Sequence, residues 1–319
     1  TGLLDNGVGV SAMFTHWQGD GYTDQTAGQG QNYFISFGYK VNEKHNLNFL
    51  ITGAPQWHNQ GTSTALSNYI KYGRRYNANA GYLNGEEFNG RKNYYHKPVA
   101  NLNWDWQISD KSSLSTVLYA SIARGGGQAP RKSVSTEGSV VPGALNYDQV
   151  VQDNLAATDG TAVNWLGADI NNHKWFGVVS NFNHEITKNL SYNIGFDLRT
   201  YKGSHHRQVT NFLGATQVSV NGNVNLGQIY ITDNFSTNPW KAFTKFADNS
   251  DQMYGWIYDQ TIKYAGVFGQ LEYATDRFSA YFQGSLSNQS NERKDTYQYT
   301  PGNDESEKVT NIGYNIKGG

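Results

Sequence analysis

The connections between strand-like runs in this sequence come in two lengths, and the two alternate. Four short polar turns, in VNEKHNLNFLI from Val41, ISDKSSLSTVLYA from Ile108, ITKNLSYNIGFDL from Ile186 and ATDRFSAYFQGSL from Ala274, each lie between two runs of period-2 alternation. Tight turns between alternating runs are the sequence form of antiparallel hairpins. Between the hairpins run connections of roughly 44, 48 and 60 residues, rich in Gly, Asn, Asp and Tyr, lengths that a compact soluble sandwich rarely contains. Short turns at one end and long loops at the other are the expected pattern of a transmembrane β-barrel, with periplasmic turns and extracellular loops. A soluble all-β sandwich or solenoid would share the alternation, but its loop lengths fit poorly.

The strand faces agree with a barrel. Ala100, Leu102, Trp104, Trp106 and Ile108 alternate with Asn101, Asn103, Asp105 and Gln107. Leu190, Tyr192, Ile194, Phe196 and Leu198 alternate with Ser191, Asn193, Gly195, Asp197 and Arg199. One apolar and one polar face, over about ten residues per strand, suits lipid outside and a wet lumen inside. Aromatics beside the tight turns, Tyr39, Trp104, Trp106, Tyr192, Tyr273 and Phe278, are placed for a girdle at the periplasmic interface. Adding a strand near 6–17 and a last run NIGYNIKGG gives about ten strands, with Gly53 and Pro55 ending one ladder at the outer rim.

Composition narrows the function. The chain has 319 residues, 14% of them aromatic and only 16% charged, with net charge −1. Such a balance offers no basic field for nucleic acid. Cysteine is absent, so neither disulfides nor thiolate metal sites arise. No window reaches the roughly 18 apolar residues of a membrane helix. Thr1 is not an initiating Met, and the chain reads as processed or as an internal piece of a longer one.

The stretches GAPQWHNQ (53–60), YIKYGRRYNANAGYLNGE (69–86), RKNYYHKPVANLNWDW (91–106) and KSSLSTVLYASIARGGG (111–127) together resemble the barrel region of TonB-dependent outer-membrane receptors of the Bacteroidetes type. The resemblance covers nearly the whole chain. It implies an all-β transmembrane antiparallel β-barrel, residues 1–319 supplying about ten strands of a 22-stranded plugged barrel. It implies active uptake of a scarce nutrient, a siderophore, cobalamin, glycan or peptide, across the outer membrane. The partners it implies are outer-membrane lipid, the TonB complex reached through a plug, a surface lipoprotein, and a small-molecule, glycan or peptide ligand. No plug or TonB-box segment is recognisable between Thr1 and Gly319, so no TonB-coupling residue is carried over. A passive porin and a structural barrel subunit of a larger outer-membrane complex are the competing functions.

The first long loop supplies the candidate substrate residues: Trp57, His58, Tyr72, Arg74, Arg75, Tyr82 and Arg91. Aromatics stack on flat ligands, guanidinium forks grip carboxylates and amides bind hydroxyls. The same residues would equally pack the loop on itself. His205 and His206 are adjacent, so on a strand they face opposite ways, and with no HxH or HExxH spacing a metal site is not expected. RGGGQAP (124–130) lacks the lysine and helix of a phosphate loop and is expected to mark a strand leaving the rim. Asp148, Asp153, Asp159 and Asp169 lack the spacing of a calcium loop. No nucleophile, base and oxyanion set can be assembled, so neither catalysis nor a cofactor is expected. The outer intervals are placed at 55–97, 125–172 and 203–260, and the periplasmic turns at Glu43, Asp110, Lys188 and Asp276.

Overall fold

The computed structural model describes residues 2–4 and 7–319. Its main element is one antiparallel sheet. Its strands are β1 (Val8–Gly19), β2 (Gly28–Lys40), β3 (His45–Gly53), β4 (Gln56–Asn59), β5 (Lys92–His96), β6 (Val99–Ser109), β7 (Ser112–Pro130), β8 (Leu166–Thr187), β9 (Leu190–Asn211), β10 (Tyr254–Ala274), β11 (Ser279–Asp295) and β12 (Val309–Gly318). The four expected hairpins are β2–β3, β6–β7, β8–β9 and β10–β11, each closed by its short polar turn. The expected first strand, 6–17, lies at Val8–Gly19, and Asn6 is outside the described residues.

Strand β4 continues β3, and β6 continues β5, without a change of register. On β2, Tyr33 faces Gly53 and Gly30 faces Gln56. On the other side Thr52 faces Val99 and Gln56 faces Tyr95. Only the stretch holding Pro55 and Pro98 drops out, since neither ring nitrogen donates to the ladder. Gly53 and Pro55 therefore interrupt the strand and do not end it. The run at Gly125–Gly127 corrects a second expectation: β7 carries on through it to Pro130, with Gly126 opposite both Tyr94 and Ile170. A Cβ at Gly125 would strike the backbone of Tyr94 and Tyr95, so glycine here permits close strand approach. The outer loops are consequently shorter than the sequence suggests, because the strands climb into them.

Counted through these breaks, ten long strands form the wall, and the residues of each face stay in line across it. Val10, Phe37, Phe49, Leu102, Leu118, Val178, Leu198 and Ala265 stand in one Cα-paired row on the outward face. Ser36, Leu50, Asn101, Tyr119, Gly177, Arg199, Tyr264 and Gln289 form a row on the other. Apart from the half-buried Val178 the outward row is exposed although apolar, as are Phe176, Ile194, Phe196, Val267, Leu271, Phe282 and Leu286. Water would reject such a surface and lipid accepts it. Near the tight turns Trp104, Trp106 and His45 stack, with ring centroids 5.5–6.0 Å apart. Tyr39, Tyr273 and Phe278 are exposed at the same end, as the interfacial girdle requires.

The buried apolar clusters lie at the other end, among the loops and the upper strands. One joins Trp165, Val209, Val218, Ile231 and Tyr254; another joins Tyr147, Val150, Leu166 and Leu213. Three helices belong to the outer loops: α1 (Leu66–Tyr72), α2 (Tyr147–Ala156) and α3 (Pro239–Thr244). Asn146 caps α2 by accepting from the Gln149 N–H at 3.1 Å, and Asn238 caps α3. Among the described residues the sheet does not close on itself; the β12 edge is fully exposed along its length.

Candidate functional site

The first outer loop is built on buried amides. Asn77 donates to the Asp24 carbonyl at 2.9 Å, Asn79 to the Gln60 carbonyl at 3.0 Å and to Thr62 Oγ1 at 2.7 Å, and Asn89 to the Gln25 carbonyl at 3.0 Å. Each amide satisfies a backbone group that the irregular chain would otherwise leave unpaired. Of the seven candidate residues, three share one cleft of ≈ 470 Å³: Tyr72, Arg75 and Tyr82 line it with Asp24, Glu87 and Asn89. Tyr72 stacks on Tyr76 at 4.8 Å, and Arg75 Nε donates to Asp24 Oδ1 at 3.1 Å. Burial and the nearby Tyr72 push the Tyr76 phenol above its usual range.

The other four lie apart. Trp57 is on β4 with the outward parity and packs against the cluster of Tyr94, Ala168, Ile170 and Ala242. The Lys92 ammonium sits 4.5 Å from its ring, and burial pushes that amine below its usual range. His58 faces Gly28 and Asn93 on the opposite side of the same strand. Arg74 and Arg91 are exposed.

A second constellation was not expected. Along β9 the residues Asp197, Arg199, Tyr201, Gly203, His205 and Arg207 share the inward face. Lys97, in the break between β5 and β6, and residues of six consecutive strands, among them Val99, His173, Trp175, Arg199, Tyr201 and Gln289, line one concave space of ≈ 590 Å³ there. His173 Nδ1 bonds the Tyr201 hydroxyl. Above them His205 stacks on Tyr258 at 4.7 Å and bonds Asn171 Oδ1 at 2.7 Å. The Arg293 guanidinium lies 3.9 Å from the Tyr258 ring. Tyr119 crosses the wall edge-on to Trp175; a Cβ at Gly177 would run into its ring, so the glycine makes room for it. At the mouth Asp169 is shared by Arg131 at 2.9 Å and Arg207 at 2.8 Å, and Arg207 lies 3.8 Å over Trp256. Two guanidinium groups on one carboxylate leave a net positive charge at this entrance.

Toward the tight turns the inward face changes character. The amides Gln107, Asn183, Asn193 and Gln270 line a space of ≈ 420 Å³ together with the charged Lys111, Glu185 and Glu272. The wall thus offers cations and aromatic faces above and amides with carboxylates below, a surface suited to contact with a polar or aromatic solute. Parity counting carried past Leu198 would have placed Tyr201, His205 and Arg207 on the lumen. The apolar half of the alternation stops there, and with it the usual sequence signal. His205 and His206 do face opposite sides, His206 being buried on the outward side. Among the described residues no three His, Cys, Asp or Glu gather as a metal site.

No protein-family profile and no curated protein matches the sequence. The fold is matched by solved structures. The ferric citrate transporter FecA, unliganded, aligns over 98% of this chain and 36% of its own length, with TM-score 0.62 and 9% identity. The copper transporter OprC aligns over 98% and 37%, with TM-score 0.54 and 11% identity. The closed form of the ferric-catecholate import receptor Fiu from E. coli K12 aligns over 99% and 44%, with TM-score 0.56 and 8% identity. This chain is an all-β wall with the fold of these transporters, and it spans well under half of their length.

Proposed function

We propose that this chain is part of the barrel wall of an outer-membrane transporter that takes up a scarce nutrient, with energy delivered by the TonB complex through a plug. The observation that carries the reading is the inward face: a cationic and aromatic band from Lys97 to Arg293 above a floor of amides and carboxylates. The transporters that share the fold support it, as does the resemblance of the four motif stretches to Bacteroidetes-type receptors. On this reading residues 1–319 belong to one barrel domain, continued beyond the open sheet edges to the 22 strands of a plugged barrel. The cleft of Tyr72, Arg75 and Tyr82 is the outer contact for a small-molecule, glycan or peptide ligand, and a surface lipoprotein completes the mouth. Trp57, His58, Arg74 and Arg91 contribute by shaping the loop.

The test uses the full-length protein in its native host. Deletion abolishes uptake of one nutrient, and the wild-type gene restores it only while the proton-motive force is intact. Arg199→Ala with Tyr201→Ala lowers that uptake at least tenfold at unchanged protein level. Uptake that survives collapse of the proton-motive force, with steady conductance in liposomes, overturns active transport in favour of a passive channel.

A further inference from the structure

The outward face above the apolar band holds charges that neither the membrane nor the lumen accounts for. Arg124 on β7 and Lys174 on β8 are the next outward residues beyond the band residues Ile122 and Phe176, and Lys202 on β9 stands one outward position further on, past Thr200 above Leu198. Lys174 and Lys202 are Cα partners, so two ammonium groups stand directly opposite each other in the ladder. Like charges so placed repel. Asp259 offsets Lys202 at 2.8 Å, and among the described residues Lys174 has no ion pair. Arg124 is only 8% exposed. Its Nη1 donates to the Ala123 carbonyl at 3.0 Å and its guanidinium lies 4.3 Å from the Phe246 ring, yet Nε has no partner. No carboxylate pairs with it among the described residues. A buried cation left without an anion is a costly arrangement. Beside it His206, 3% exposed, also has an unpartnered Nε2.

These groups line one groove of ≈ 650 Å³, roofed by residues 246–253 of the loop between β9 and β10. That loop straps across the outside of the wall. Its α3 sets Trp240 against Tyr33 at 5.9 Å and against His96 at 4.8 Å, and Trp240 Nε1 donates to Gln31 Oε1 on β2 at 2.9 Å. Trp240 remains 44% exposed, with Lys241 and Lys245 beside it, the composition of an interfacial anchor. The acidic groups facing the groove are Asp259, engaged by Lys202, and the exposed Asp248.

We propose that this groove binds the phosphate headgroup of an outer-leaflet glycolipid, an inference that rests on the outer-membrane, loops-outward reading. A phosphate placed between Lys174, Lys202 and Arg124 accepts their charge-assisted hydrogen bonds and relieves the lysine repulsion. A free anion would be satisfied equally by the cations alone. The lipid is favoured because the exposed apolar band lies directly below, where its acyl chains pack while the headgroup occupies the groove.

The experiment uses the full-length protein in uncharged detergent, examined by native mass spectrometry with three probes: a bisphosphorylated glucosamine-disaccharide lipid, its dephosphorylated form, and inorganic phosphate. Wild type retains the phosphorylated lipid, and K174Q/K202Q, at two exposed positions, retains it at least tenfold less. Arg124→Lys keeps the charge and retains it like wild type. Equal retention of both lipid forms, undiminished retention by K174Q/K202Q, or displacement by millimolar phosphate overturns the proposal, the last pointing to a free-ion site. Orientation is read separately, by impermeant labelling of T62C and D276C in intact cells. Labelling of D276C overturns the underlying reading; labelling of T62C alone, with no lipid retained, overturns the groove by itself.

Discussion

Two outer loops of this protein are held down by opposite chemistries. The loop between β7 and β8 is fixed by a polar key. Asn154 on α2, fully buried, donates to the carbonyls of Asn164, Phe212 and Leu213 at 2.8, 3.1 and 2.9 Å and accepts from the N–H groups of Val163 and Asn164. The strap between β9 and β10 is fixed by rings: Trp240, Phe243 and Phe246 lie on Tyr33, His96 and Arg124. The first packs on the chain at the upper ends of β8 and β9, where irregular backbone needs partners, and amides supply them. The second lies on the outside of the wall beside the lipid band, where aromatic area is the available adhesive. A loop's chemistry here follows the surface it must cover.

Removing the polar key should give the largest effect. Asn154→Ala leaves several buried backbone groups unpaired, at a cost on the order of 3 kcal/mol. Native-state proteolysis within 131–165 is then expected to speed by roughly 100-fold while the strap is unaffected. Equal acceleration in both loops would show that they open as one unit and dissolve the contrast. Trp240→Ala comes next. Losing two ring contacts and the bond to Gln31 costs about 2 kcal/mol, and cleavage within 239–252 should rise roughly 30-fold. Cleavage of the Asn154 loop should stay within twofold of wild type.

The smallest effect concerns pH. Burial pushes His96 and His206 down to about 4, and the nearby Arg124 adds to the shift of His206. Both rings are neutral when the strap is docked and take up protons near pH 6.5 when it lifts. The undocked state therefore binds more protons, so strap stability falls as pH drops below about 6.5 and stops falling near 4. Hydrogen exchange should show residues 239–252 loosening severalfold between pH 7 and 5, and the Asn154 loop should not change. A strap indifferent to this interval would place His96 and His206 in contact with solvent even when it is docked.

The stretch Asn48–Gln60 marks how far the sequence could be read. Alternation through Phe49 and Ile51 correctly placed both on one face of the wall, the face that carries the exposed apolar row, and the turn at Glu43 correctly placed the hairpin. In the sequence Pro55 then reads as a terminus. It is a gap of three positions in the ladder, because its partner strand carries Pro98 almost opposite, and the pairing resumes in the same register at Gln56 with Tyr95. Local pattern cannot distinguish a stop from a gap, since only the register of the neighbouring strand carries the ladder across it. The lumenal set was hidden for a related reason. Tyr201, His205 and Arg207 keep the parity of Asp197, but beyond Leu198 the outward positions turn polar as the strand leaves the apolar band. The residues of the first loop show only their chemistry in the sequence, and folding gathers Tyr72, Arg75 and Tyr82 while sending Trp57 to the outside.

The sequence by itself determined the hairpins, the wall of about ten strands and the face each spanning residue takes, because period-2 alternation and turn chemistry act within a few residues. Tertiary structure alone decided which loop lies on which surface, which strands run on past a proline or a glycine run, and which side chains meet in the lumen. Those outcomes depend on contacts such as Trp240 with Gln31, 209 residues apart. Such contacts form only once the intervening strands have paired in register.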